Sequence, residues 1–145
     1  MAYRPTEKTQ ARKAELRQRL LDAALELVSS GGFGALTMVG VASRAGIATG
    51  AVYKHFDSKA QLCAEVFRIA TEKEVAVVRD NALGAGTARL RLQQAIEAFA
   101  QRALRNPRLA FALIAEPVDA LVDEQRLRYR HAYAEVFQEL LAQGI

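Results

Sequence analysis

The chain has 145 residues and a net charge of +4, with 51% hydrophobic and 25% charged residues. That length supports one ordinary domain or two small ones around a real core, and the balance excludes a disordered chain. Cys63 is the one cysteine, which excludes an intrachain disulfide and a cysteine-rich metal site. No run of about eighteen apolar residues reads as a membrane span, and the polar residues 1–10 lack the apolar core of a signal peptide. The expectation is a cytoplasmic protein with no membrane contact and no cofactor.

Residues 1–19 hold Arg4, Lys8, Arg12, Lys13, Arg17 and Arg19 against Glu7 and Glu15. The surplus points either to an anionic partner, nucleic acid first, or to a solvated basic tail. Leu16, Leu20, Ala24, Leu27 and Val28 recur in steps of three and four, which predicts an amphipathic helix over residues 9–30. Gly31 and Gly32 end it, and Phe33 is expected to tuck back under the core. Thr37 is a good N-cap for a short helix to Ala45. Gly46 closes that helix, and a second short one is expected over residues 49–56.

Ser58 with Gln61 has the form of a capping box, each side chain bonding the other's backbone N–H. A long helix then runs over residues 59–81, with Leu62, Val66, Phe67 and Ala70 inward. Residues 83–86 (Leu-Gly-Ala-Gly) break the pattern. Thr87 caps a helix to Arg105 whose face carries Leu92, Ile96, Phe99 and Ala103, and Asn106-Pro107 starts another over residues 108–115. After Pro117 a last helix begins at Asp119 or Glu124 and reaches Gln143, with Tyr129, Tyr133, Val136, Phe137 and Leu140 as its stripe. No segment alternates with period two over a useful length, so the fold class is all-α.

Residues 37–56 are the informative stretch: two short helices joined at Gly46, the form of a helix-turn-helix unit. Val41, Ala42, Ile47 and Val52 supply its apolar contacts, and Ala45 lets the helices cross closely. The second helix opens with Ala48, Thr49, Gly50 and Ala51, a narrow end suited to a major groove. The run Leu36-Thr37, Val41-Ala42, Ala45-Gly46-Ile47, Gly50, Val52-Tyr53, His55-Phe56 and Lys59 resembles the DNA-binding signature of the tetracycline-repressor (TetR) family. Leu20 to Ala24 and Gly31-Gly32-Phe33 resemble that family's first helix and turn.

The resemblance implies that Ala48, Thr49, Gly50 and Ala51 meet base edges, and that Tyr53 and His55 touch phosphates or bases. Thr49 offers a hydroxyl and a methyl for readout. Alternatives stay open: Thr37 either caps alone or also meets a phosphate, Gly50 serves either DNA approach or close helix packing, and Lys54 either reaches DNA or is solvated. Lys59, at a helix start, suits a phosphate clamp, and Arg44 is placed for a backbone contact. The segment from Arg4 to Arg19 suits a groove-reaching arm.

The resemblance further implies an N-terminal three-helix DNA-binding domain over residues 1–66 and a helical regulatory domain over residues 67–145. It implies a repressor that a small-molecule effector releases from a palindromic double-stranded DNA operator, acting as a homodimer. Candidate ligand-binding residues are Phe99, Phe111, Ile114, Tyr129 and Tyr133, although such a stripe equally reads as ordinary core. Glu116 and His131 either orient a ligand or are exposed. Members of the family continue for two further long helices that pair in the dimer. The regulatory domain of this chain is therefore expected to be incomplete, and dimerisation does not follow from it.

The rival readings are an enzyme and a helical protein-interaction module without specific DNA binding. Cys63 with His55 as a thiol nucleophile is the enzymatic case. Cys63 falls on the inward face beside Leu62, where a cysteine behaves as a small hydrophobe. Neither glycine cluster has the strand context of a phosphate loop, and two distant histidines assemble no metal site.

Overall fold

The computed structural model describes residues 6–144. Arg4, the first cation of the expected arm, lies outside them. Seven α-helices follow one another: α1 (Glu7–Gly31), α2 (Met38–Ala45), α3 (Thr49–Val52), α4 (Lys59–Ala82), α5 (Ala88–Arg105), α6 (Pro107–Ile114) and α7 (Ala120–Gly144), with one 3-10 turn at Phe33–Ala35. The expected all-α class is the one observed.

Local chemistry sets most boundaries. The Thr6 hydroxyl accepts from the N–H of Thr9 at 3.2 Å, so α1 begins earlier than its apolar stripe suggests. The expected arm is therefore helical from Glu7 onward. Thr37 accepts from Gly40 N–H at 2.9 Å, Thr87 from Leu90 N–H at 3.2 Å and the Asn106 carboxamide oxygen from Leu109 N–H at 3.2 Å. Pro107 at the first position of α6 gives up an N–H that has no helical partner there anyway.

Two expectations are corrected. Ser58 accepts from Gln61 N–H at 3.1 Å, but the Gln61 side chain takes the N–H of Asp57, not that of Ser58. Helix α3 ends at Val52, four residues early, because Lys54 N–H and His55 N–H bond the carbonyls three residues back and tighten the chain. Residues 66 and 67, where the two domains are expected to meet, both lie on α4.

Two clusters form the interior. The larger packs Leu20, Ala24 and Val28 of α1 against Leu36, Val41, Val52, Phe56, Leu62, Val66 and Phe67, and takes in Ala112 and Leu113 of α6 and Val122 of α7. Phe33 is buried within it, its ring 6.3 Å from that of Phe67. The smaller joins Val78 and Ala82 of α4 to Ala95 of α5 and Val136 and Leu140 of α7. The α5 stripe behaves differently from the others, with Ile96 52% and Phe99 36% exposed. Leu92 packs on the smaller cluster, whereas Ile96, Phe99 and Ala103 border a cavity.

Candidate nucleic-acid interface and the cavity beside it

The helix-turn-helix is held from within. Val52 is fully buried and Phe56 nearly so, and these two anchors fix how α3 and the turn after it are presented. Gly46 adopts φ +72°, a left-handed conformation that suits glycine, and closes α2. The Arg19 guanidinium donates to the carbonyl of Ala45 at the same helix end. Arg17 lies over the Phe56 ring, 4.7 Å from its centroid. Arg17 and Arg19 of the expected arm therefore make contacts within the protein, whereas Lys8, Arg12 and Lys13 are exposed on α1.

The opposite side of the unit faces outward. Ala48, Gly50, Tyr53 and Lys54 are exposed, and Thr49, Ala51 and His55 half-buried. A side-chain carbon built on Gly50 would meet nothing within 4 Å. Close helix packing is thus not the reason for that glycine. Lys59 stands exposed in the first turn of α4 and Thr37 exposed at the start of α2. Arg44 is exposed too, but its guanidinium bonds the Glu26 carboxylate at 2.9 Å. The structure places Thr37, Ala48, Thr49, Gly50, Ala51, Tyr53, Lys54, His55 and Lys59 around the helix-turn-helix and the start of α4, and leaves Arg44 partly neutralised.

Between α4, α5, α6 and α7 lies a cavity of about 470 Å³, a size within the ~300–1,000 Å³ common for small-molecule pockets. Phe99, Ile114, Tyr129 and Tyr133 line it; Phe111, Glu116 and His131 do not. Phe111 is 57% exposed, because it sits on the solvent side of the short α6. Burial and the neighbouring Glu72 push the Tyr129 phenol up to about 12, and burial with Glu74 does the same for Tyr133. Both are neutral donors near pH 7.

Among the cavity residues that sequence reasoning missed, three stand out. Arg102 makes a two-pronged ion pair with Glu74, whose hydrogen bonds hold the guanidinium above its ordinary range. Arg126, only 7% exposed, donates to the carbonyls of Leu113 (3.1 Å), Ala112 (3.0 Å) and Glu116 (2.8 Å). It thereby closes the end of α6. Thr71 is buried with a hydroxyl that has no hydrogen-bond partner among the described residues. Charged and hydroxyl residues on polar helix stretches normally read as solvent-facing, and no local signal marks these three.

Two polar connections run from the cavity wall to the helix-turn-helix. Glu116, the residue whose carbonyl Arg126 holds, accepts from the N–H of Phe33 at 2.8 Å and of Gly34 at 3.1 Å. Its role is to fix the turn before α2, in place of the ligand contact weighed from sequence. Gly32 (φ +77°) makes room, since a side-chain carbon there would come within 2.7 Å of the Glu116 carboxylate. On the other side, Tyr129 donates to Glu72 at 2.8 Å, Glu72 and Glu65 both grip Arg68, and Arg17 lies 3.8 Å from Glu65. Arg68 hydrogen bonding keeps the Glu65 carboxyl below its usual range.

The inward thiol of Cys63 is pushed up to about 11 by burial, so it is neither a nucleophile nor a thiolate sensor near pH 7. Among the described residues no helix is long and apolar enough to cross a membrane.

Residues 20–66 match the family model described as bacterial regulatory proteins, tetR family. The transcriptional repressor KstR of Mycolicibacterium smegmatis is 36% identical over 99 residues, which is 68% of this chain and 48% of that protein. The repressor KstR2 of Rhodococcus jostii is 30% identical over 128 residues, 88% of this chain and 62% of the relative. The chain thus spans about half to three-fifths of the length of these relatives. A TetR-family transcriptional regulator from Agrobacterium tumefaciens shares the fold with a TM-score of 0.75 at 15% identity, over 90% of this chain and 72% of that one.

Proposed function

Taking as premise that the chain is a tetR-family protein through residues 20–66, we infer that it is a sequence-specific DNA-binding transcriptional regulator and not an enzyme. We read it as a repressor that a small-molecule effector releases from its operator. One observation carries the reading: Val52 and Phe56 anchor the unit from within while Ala48, Gly50, Tyr53 and Lys54 are exposed on its outer side, with open space around Gly50. A narrow N-terminal end with an open glycine lets a recognition helix approach base edges closely.

In this reading Thr49 contributes direct readout, and Tyr53, Lys54, His55, Lys59 and Thr37 hold phosphates and set the register. Arg44 contributes less, because Glu26 already occupies it. The effector enters the cavity bordered by Phe99, Ile114, Tyr129 and Tyr133. Contacts there bear on Arg126 and Tyr129, from which hydrogen bonds lead to the turn before α2 and to α1. The partner is double-stranded DNA in the cytoplasm. A palindromic operator presents two half-sites about one helical turn (~34–36 Å) apart and is read by two copies of the chain.

The test is selection of bound fragments from randomised duplex DNA at near-physiological salt. Recovery of a half-site or an inverted repeat is expected, the second showing that two chains pair on DNA. Tyr53→Ala and Lys59→Ala should weaken binding, with each lost phosphate contact flattening the salt dependence by about one unit of log–log slope. Recovery of no sequence above background would leave a helical interaction module and remove the regulator reading.

A further inference from the structure

We propose that the cavity takes an anionic amphiphile: an apolar body whose oxyanion head is met by Arg105 and Arg130, with a second oxygen on the body reaching Thr71. This rests on the effector reading above and names the chemistry of its ligand.

Charge comes first. Four arginines line the cavity (Arg102, Arg105, Arg126 and Arg130) against one carboxylate, Glu74. Arg102 is taken up by Glu74, and Arg126 by three carbonyls and Asp123. Among the described residues Arg105 and Arg130 have no ion-pair partner, and both are exposed to solvent while lining the cavity, which puts them at its mouth. Unpaired guanidinium groups are suited to a carboxylate or phosphate in two-pronged geometry. The rest of the lining is mainly hydrocarbon and aromatic, with Phe67, Val78, Leu113 and Phe137 in its wall. Such a wall takes an apolar body and penalises a polar one.

The buried Thr71 hydroxyl is the second, independent observation. It lines the same cavity, is 4% exposed and lacks any hydrogen-bond partner among the described residues. Buried hydroxyls are normally paired. A ligand oxygen reaching it supplies the missing bond, and a ligand that is hydrocarbon throughout does not.

Isothermal titration calorimetry on the full chain tests this without DNA, using dodecanoate, dodecyl phosphate, dodecanol and dodecylammonium below their micelle concentrations. Dodecanoate or dodecyl phosphate should bind at least about tenfold more tightly than dodecanol, with dodecylammonium weakest; which anion leads tells a carboxylate head from a phosphate head. In the Arg105→Gln/Arg130→Gln double variant, made at two exposed positions, the anion advantage should fall to about twofold. ω-Hydroxydodecanoate should bind the native chain within about threefold of dodecanoate and lose about tenfold in Thr71→Val. Equal binding of dodecanol and the anions, or a double variant that keeps the full anion advantage, overturns the oxyanion assignment while the effector reading stands. An unchanged ω-hydroxydodecanoate affinity in Thr71→Val overturns the interior contact. If none of the four probes binds, the anionic-amphiphile assignment is overturned, while the effector reading, which names no ligand chemistry, stands.

Discussion

Replacing Glu116 with alanine removes the two hydrogen bonds that tie the end of α6 to the turn before the helix-turn-helix. The carboxylate accepts from Phe33 N–H at 2.8 Å and Gly34 N–H at 3.1 Å, the first part-buried and the second exposed. A hydrogen bond to a charged group contributes about 1.5–3 kcal/mol net when buried. Water replaces the exposed partner at Gly34 at little cost, so the loss should be about 2–3 kcal/mol. For a protein near 150 residues that corresponds to a fall in Tm of roughly 5–10 °C. Thermal unfolding followed by circular dichroism reads it, with Glu116→Gln as the companion variant. Glutamine keeps one acceptor but turns its amide donors toward the second N–H, so an intermediate fall is expected. A Tm within about 1 °C of the native value in Glu116→Ala would refute the reasoning and reduce this contact to an ornament of the surface.

Thr37→Ala should cost about 1 kcal/mol by opening the cap of α2, read as faster amide exchange at Gly40 and a modest loss of DNA affinity. Glu65 bears on pH. Its folded-state pKa is depressed, chiefly by Arg68 hydrogen bonding, so its stabilisation is complete above the ordinary carboxyl value of 4.5 and is lost as pH falls through the lower folded value. Glu65→Gln should therefore flatten the acid limb of a stability–pH curve and leave its slope above pH ~6 unchanged. Cys63, 3% exposed and with its thiol pushed up to about 11, should resist thiol reagents at pH 7 until the chain unfolds. Rapid labelling of the native protein would contradict its placement.

Short-range chemistry was legible in the sequence because it acts within a few residues. Thr37, Thr87 and Asn106 cap the helices they precede, Gly46 turns the chain where only a left-handed residue fits easily, and the apolar spacing around Leu20, Val41, Val52 and Leu62 marked the core that forms. The exposed side of α3 followed, since residues opposite a buried Val52 point outward. Contacts between distant segments were settled by the tertiary structure alone. Glu116 meets Phe33 across 83 positions and Arg102 meets Glu74 across 28, while Arg126 is buried next to the exposed Leu127 and Thr71 next to the exposed Glu72. Side-chain type reports affinity for water, and a helix repeats its faces every 3.6 residues. Which of those faces closes over a cavity depends on how α4, α5, α6 and α7 cross, and that information is spread over the whole chain.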